Sequence, residues 1–403
     1  MASMRYWLWL SAQQGVSPRA KAALIEHYHD AQSAFFAPDG EYENIPGVSR
    51  IDAQRLEKRD VSAVDKILAA CSRQGIDIIT MQDAAYPKIL RDIYDAPVVL
   101  YVKGKLPELE AAPAIAVIGT RKASSYGLKM GRSIAFDIAR SGGVVISMLG
   151  EGIDRKAAEG CIIADGCCIG VLGMGHGADN SLYRDIVSGG ALISEYPPET
   201  PPQKHFFRER NRIASGLCRA VVVVEAPERS GALLFASTAL EQGREIFAVP
   251  GNADSYNSVG CNELIKQGAK PVTCGWDAMA EFEYLFPGRI KKPDGKFKLP
   301  DEDKIPEKKE VTVVPKALET TINPVDKAKP SGYIDLRAQL SELNEDQLKI
   351  ISAVDSDDTH IDDIIEKTGM STAKVLAQLT VLEIKGYVRR SAGRRISLNI
   401  KSK

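Results

Sequence analysis

The sequence predicts an α/β protein. Its core reads as a Rossmann-like, doubly wound, mostly parallel sheet, with an all-α N-terminal domain before it and a C-terminal winged helix after it. Three observations predict this. From Ala114 to about Val249, short apolar β-branched runs alternate with segments of helical periodicity, as parallel strands covered on both faces do. Ahead of them, cap signals and amphipathic spacing mark small helices. Behind them, a charged stretch leads to three helical segments and a hairpin pattern.

In chain order, residues 6–11 open a first helix. Ser17-Pro18 reads as an N-cap with proline at the first helical position, leading into an amphipathic helix over 20–28. The turn Ile45-Pro46-Gly47 precedes a helical stretch over 51–58. Such a turn can hold a DNA phosphate on backbone N–H groups, and it is also ordinary packing punctuation. The helical domain is set at residues 1–105. The core follows at 106–287, with strands expected at Ala114–Ile118, 144–148, 169–172, Ala191–Ser194, 220–224 and 245–249. Residues 288–339, rich in Lys, Glu, Asp and Pro, read as a solvated linker. Residues 340–403 then read as helices over 343–354, 360–368 and 371–386 and a hairpin over 388–398 with a basic tip, a winged-helix pattern.

Composition bounds the function. The chain has 403 residues, 44% apolar and 26% charged, with a net charge of −1. That excludes a uniformly basic nucleic-acid coat but leaves room for a local basic groove. The 7 Cys form no CxxC and the 5 His do not cluster with them, so neither a metal site nor a disulfide framework is indicated. An odd number of scattered thiols suits a reducing cytoplasm. The apolar run at the N-terminus stops at Gln13-Gln14 before a signal peptide could form, and no run reaches membrane-span length.

In an open parallel sheet, ligands sit beyond the carboxyl ends of the strands, so the loops there matter most. The first is Gly119-Thr120-Arg121-Lys122-Ala123-Ser124 ahead of a helix. Hydroxyls, two cations and a helix N-terminus suit phosphate, and Ser124 also serves as a cap. Gly150, Gly152, Gly173, Gly175 and Gly177 invite a dinucleotide reading, but the spacing is not GxGxxG, and tight turns account for them. The densest cationic segment is Lys204-His205-Phe206-Phe207-Arg208-Glu209-Arg210-Asn211-Arg212. Cations interleaved with aromatics fit single-stranded nucleic acid, with phosphates tracked by charge and a base stacked on a ring. A solvated helix with its Phe residues turned to the core is the bland reading. No catalytic constellation is assigned. Ser230, Gly231 and Glu241 follow the fifth strand, and no His is linked to them.

These residues together resemble a known family. Ile118-Gly119-Thr120-Arg121, Ser124, Tyr126-Gly127, Gly152-Ile153-Asp154, Ser194-Glu195-Tyr196-Pro197-Pro198, Arg210-Asn211-Arg212-Ile213, Val224-Glu225-Ala226, Ser230-Gly231, Gln242-Gly243-Arg244 and Val249-Pro250-Gly251 occur in the serial order of the DNA processing protein A (DprA/Smf) family. The resemblance runs from about Trp7 to Leu398. It implies a protein without enzymatic activity or cofactor that binds single-stranded DNA, pairs with itself through the core, and helps load the RecA recombinase during natural transformation. It also implies that Arg121 holds phosphate, that Lys204 and Phe207 are the family's lysine and base-contacting phenylalanine, and that Arg210, Asn211 and Arg212 form its RNR segment. The full DNA-binding set is Gly119, Thr120, Arg121, Ser124, Gly127, Gly152, Asp154, Lys204, Phe207, Arg210, Asn211, Arg212, Ser230 and Gly231.

The sequence departs from the family's usual wording at Met148, Glu151, Ala158, Arg208 and Phe235. Two other classes are weighed. One is a LOG-like nucleotide-binding enzyme or phosphoribohydrolase on a related core, whose PGGxGTxxE signature Pro250-Gly251-Asn252 does not continue. The other is an interaction scaffold that has lost DNA binding. Residues 261–268 are the expected self-contact, and the winged helix is expected to act as an accessory module.

Overall fold

The structure is a computed structural model. It describes residues 2–177 and 180–292, together with shorter stretches between residues 347 and 398. Two compact units divide the chain, residues 1–309 and 310–403.

The first unit opens with five helices: α1 (Ala2–Ala12), α2 (Pro18–Tyr28), α3 (Ala31–Phe35), α4 (Arg50–Leu56) and α5 (Val64–Gln74). Ser17 caps α2 by accepting the Ala20 N–H, with Pro18 in the first turn. Two strands, β1 (Asp77–Thr80) and β2 (Val99–Gly104), fall inside the segment read from sequence as helical, separated by the short α6 (Lys88–Arg91). They pair antiparallel with each other, and β2 pairs antiparallel with β6 (Ala191–Ser194). Alternation along β2 explains its place: Val99 and Tyr101 join the core of the N-terminal helices, while Leu100 and Val102 join the core of the sheet. The apolar run Val98–Val102 carried this signal, and the helix reading passed over it.

From there the expected pattern holds: β3 (Ala114–Ile118), α7 (Ser125–Arg140), β4 (Val144–Ser147), α8 (Ile153–Ile163), β5 (Cys167–Val171), α9 (Ser181–Gly189), β6, α10 (Phe206–Leu217), β7 (Ala220–Val223), α11 (Gly231–Glu241), β8 (Glu245–Ala248), α12 (Val259–Lys266), β9 (Lys270–Pro271) and α13 (Gly275–Met279). The nine-stranded sheet has the order β1-β2-β6-β5-β4-β3-β7-β8-β9, parallel from β6 to β9. The order reverses between β3 and β7, a topological switch point. Helices α7, α8, α9 and α13 cover one face, and α10 and α11 cover the other. The Pro46-Gly47 turn packs on Arg19 and Ala23 of α2, in line with a packing role. Residues 288–292, expected to begin the linker, are still pinned to the core: Ile290 packs on it, and the Lys291 N–H donates to the Ser141 carbonyl at 2.9 Å. The linker from residue 293 lies outside the described residues.

In the second unit, α14 (Ile361–Thr368) and a three-stranded sheet of order β10-β12-β11 are described, with β10 at Thr359–His360, β11 at Val388–Ser391 and β12 at Arg395–Leu398. Ile350, Ile364, Val375, Leu379, Leu382, Val388 and Ile396 form its core. This is the expected winged helix. The tip of its wing, residues 392–394, lies outside the described residues.

Candidate nucleic-acid interface

The loops after β3, β4, β5, β6, β7 and β8 meet along the carboxyl edge of the sheet. At the switch point they are knitted by one buried carboxylate. Glu225, 4% exposed, follows β7. Its carboxylate accepts the Ser124 N–H at 2.9 Å, the Ser124 hydroxyl, and Asn257 Nδ2 at 3.3 Å. Its carbonyl accepts the Thr120 N–H at 2.8 Å. Gly127 lies directly against that carboxylate, where any Cβ would collide with it. Ser124 caps α7 through the Gly127 N–H at 3.1 Å. The positive end of α7, which the sequence offered to phosphate, therefore already holds an internal anion. Gly119, Thr120, Ser124 and Gly127 build the loop, and Arg121 and Lys122 stand exposed on top of it. Glu225 belongs to the motif Val224-Glu225-Ala226, and its role as organiser of the site shows only in the fold. Nothing in its local spacing marks it, because its partners lie far along the chain, Ser124 at 101 residues and Asn257 at 32.

Gly152 is needed for the same close packing. It has φ 83°, and a Cβ there would lie 2.5 Å from the Thr120 carbonyl oxygen and 2.8 Å from Arg121 Cα. This contact brings the start of α8 under the Arg121 loop. Asp154 follows, 6% exposed, with Oδ1 lacking a hydrogen-bond partner. Burial pushes its carboxyl pKa up to about 7, while Arg210, the Gly119 N–H and Arg121 pull it down. The preceding turn carries Leu149 at φ 56°, a strained position for a residue other than glycine.

Helix α10 supplies the third side. Arg210, 7% exposed, donates through Nη1 to the Met148 carbonyl at 2.6 Å, and its guanidinium lies 5.3 Å from the Phe207 ring centre. Its Nε has no partner. Burial lowers its pKa to about 10, against the opposing pull of Asp154. Phe207 is half-buried against Gly173, and Lys204 is exposed just ahead of the helix. Arg121, Asp154, Phe207 and Arg210 thus converge on the ends of β3, β4 and β5.

Arg212 does not join them. It is buried, donating to Glu195 at 2.6 Å and pairing with Asp95 at 3.4 Å. Asn211 is half-buried, and its carbonyl accepts the Ser215 hydroxyl at 2.9 Å. Ser230 caps α11 through the Leu233 N–H, and Gly231 has open space around it. Glu241, considered for hydrolysis, ends α11 and lies a helix length from this edge, about 16 Å by helical rise. His176 is buried with Nε2 at 2.8 Å from the Tyr101 carbonyl, and burial lowers its pKa to about 4, so it packs as a neutral ring. Beside the interface, between the N-terminal helices and the loop after β6, lies a cavity of about 790 Å³ lined in part by Lys21, Lys66, Tyr196 and Phe206. Among the described residues no group of His, Cys, Asp and Glu is arranged to hold a metal ion. No described helix is long and apolar enough to cross a membrane.

A doubly wound sheet with a strap of antiparallel strands on one edge and these strand-end loops defines a distinct class, and comparison with known proteins identifies it. Residues 77–283 match the family model described as DNA recombination-mediator protein A, and residues 335–394 match the DprA winged helix domain. The chain belongs to this DprA/Smf family. It is 41% identical over 225 residues to the DNA processing protein DprA of Bacillus subtilis, covering 55% of this chain and 75% of that one. It is 31% identical over 402 residues to the protein Smf of Synechocystis, covering 97% of each. Among solved structures, DNA processing protein A of Streptococcus pneumoniae superposes with a TM-score of 0.60 at 33% identity, covering 69% of this chain and 98% of that one.

Proposed function

We propose that this chain binds single-stranded DNA along the carboxyl edge of its core sheet and, as a recombination mediator, helps load a RecA-type recombinase onto the strand. It does so without catalysing a reaction itself, and as a dimer formed through the core. One observation carries the binding reading: a half-buried ring, Phe207, is backed by Arg210 close to the exposed cation Arg121, with the exposed Lys204 just ahead of its helix. A ring beside a basic track is what a sequence-tolerant single-strand site requires. Family membership supports the mediator role. Of the residues expected to contact DNA, Arg121, Lys204, Phe207 and Arg210 are the contacts in this reading. Gly119, Thr120, Ser124, Gly127, Gly152, Asp154, Asn211, Ser230 and Gly231 shape the edge, and Arg212 buttresses it from behind. Residues 293–339 act as the linker to the winged helix.

The self-contact expected at residues 261–268 falls on α12, and the neighbouring α11 leaves Leu234 63% and Leu240 56% exposed. A monomer mass at micromolar concentration would remove the dimer from this reading. Titration of the full chain with labelled single strands, duplexes and nucleoside monophosphates tests the rest. Single strands are expected to bind tightest, no base is released from the monophosphates, and the protein speeds RecA filament growth on coated strands. Equal affinity for duplex, or base release, would overturn it.

A further inference from the structure

Two large aromatic side chains stand in solvent at the same edge, neither of them in the DNA-binding set expected from the sequence. Tyr126 is 51% exposed and Tyr256 is 74% exposed. Tyr126 lies in the first turn of α7, right after the Arg121 loop, and Tyr256 begins the 3-10 turn Tyr256–Ser258 that follows β8. Their two loops are tied together. Asn257 Nδ2 donates to the Lys122 carbonyl at 3.1 Å and to the Glu225 carboxylate at 3.3 Å, and the Asn257 carbonyl accepts the Ala226 N–H at 2.8 Å. Arg121 and Lys122 are exposed on the same tied loop, with no ion pair among the described residues.

We infer that Tyr126 and Tyr256 form a second base-stacking platform, which carries the strand past Arg121 on the side away from Phe207. This rests on the single-strand reading above and extends it. Phe207 and Arg210 lie over the ends of β4 and β5, Arg121 over β3, and the Tyr256 turn over β7 and β8. Four strand spacings separate β5 from β8 in the sheet order, about 19 Å in all. A strand gripped at both ends of that distance has its phosphates on cations and its bases on rings. The α7 N-terminus cannot supply a phosphate site, since Glu225 fills it, so free cations flanked by exposed rings are the binding elements left on this part of the edge. A tyrosine ring presents a π-face to any base, so the platform adds affinity without sequence preference. A second copy of the chain is the competing occupant of these rings.

The test uses the full-length protein and oligothymidylates of increasing length, comparing Y126A/Y256A with the conservative Y126F/Y256F. The alanine pair is expected to lose roughly fivefold to a hundredfold in affinity on long strands. It should lose little on strands too short to reach past Arg121, with the salt slope unchanged. The phenylalanine pair should bind as wild type. Ultraviolet cross-linking of bromodeoxyuridine-substituted strands should place adducts at Tyr126 or Tyr256. If Arg121→Ala and Phe207→Ala weaken binding while Y126A/Y256A matches wild type at every length, the platform is refuted and the single-strand reading stands. If wild type binds no strand, that reading fails first. If Y126A/Y256A instead changes the solution mass and leaves strand affinity intact, the rings serve a self-contact and the inference is wrong.

Discussion

Arg210 and Arg212 stand two residues apart on α10, both buried, and they do opposite work. Helical geometry turns them about 200° from each other. Arg212 faces Glu195 and Asp95. Burial pulls its pKa down, but those carboxylates outweigh it and hold the guanidinium above its ordinary value. Arg210 faces the strand ends, where burial prevails and lowers its pKa to about 10, and its Nε is left without a partner. Each keeps at least one guanidinium nitrogen without a hydrogen-bond partner, so the difference lies in the charges they face: Arg212 is ion-paired with two carboxylates, while Arg210 donates to a backbone carbonyl at the strand ends. Three adjacent letters of a motif thus face two different surroundings.

The sharpest way to break this comparison is to remove each arginine. Arg212→Ala leaves the partly buried Glu195 and Asp95 without their arginine partner, which should cost no more than about 3–5 kcal/mol of stability. The folded fraction should still bind single strands normally. Arg210→Ala strands the Met148 carbonyl and should cost about 1–3 kcal/mol, with a clear loss of strand affinity. Thermal melts beside titrations separate the two. If the affinity loss follows Arg212 and not Arg210, the division of labour on α10 is reversed.

The adjacent rings sharpen the same contrast. Phe206 stacks on Tyr196 with centroids 3.9 Å apart, toward the cavity, whereas Phe207 lies against Gly173 and Arg210. Phe207→Ala should cost about 1–3 kcal/mol of binding with an unchanged salt slope, and Phe206→Ala should act mainly on the melting temperature. A Phe207→Ala protein that melts early yet binds with wild-type affinity would make Phe207 a core residue.

Much of this was legible in the sequence. The alternation of β-branched runs with helical segments located β3, β4, β6, β7 and β8 to within a residue, because buried parallel strands must be apolar on both faces. The glycines and Ser124 announced the strand-end turns. What stayed hidden depends on long-range pairing. β2 was missed because a strand shared by two cores reads as a plain apolar run. Glu225 was missed because its role is defined by Ser124 and Asn257, brought to it only by the fold. Arg212 was grouped with Arg210 because a motif gives spacing along the chain, not the direction each side chain takes.

A smaller effect is expected at Arg121. It is exposed, so its contact with a phosphate is screened, and Arg121→Ala should cost no more than about 1 kcal/mol. The slope of log K against log salt should flatten by about 0.7, with no change in melting temperature. Lys204→Ala should do the same. An unchanged slope in both would take the phosphate track away from this edge.

The smallest expected effect comes from Asp154, and it is a proton. Its carboxyl, ordinarily at 3.8, is pushed up to about 7, first by burial and against the pull of Arg210, the Gly119 N–H and Arg121. The raised value means the folded state prefers the neutral acid. The group's cost to stability therefore grows as pH rises from about 4 toward 7 and is full above it. A phosphate arriving beside Arg210 and Arg121 disfavours the carboxylate further, so binding takes up part of a proton. Affinity should rise a few-fold as pH falls from about 8 to about 6, less than tenfold per pH unit because less than one proton is bound. Asp154→Asn, neutral at every pH, should flatten that dependence and should melt higher than wild type above neutrality. Other groups titrating on the strand or the protein affect both proteins alike, so the difference between the two profiles belongs to Asp154. Parallel profiles would mean that this carboxyl, though buried at the edge, does not face the strand.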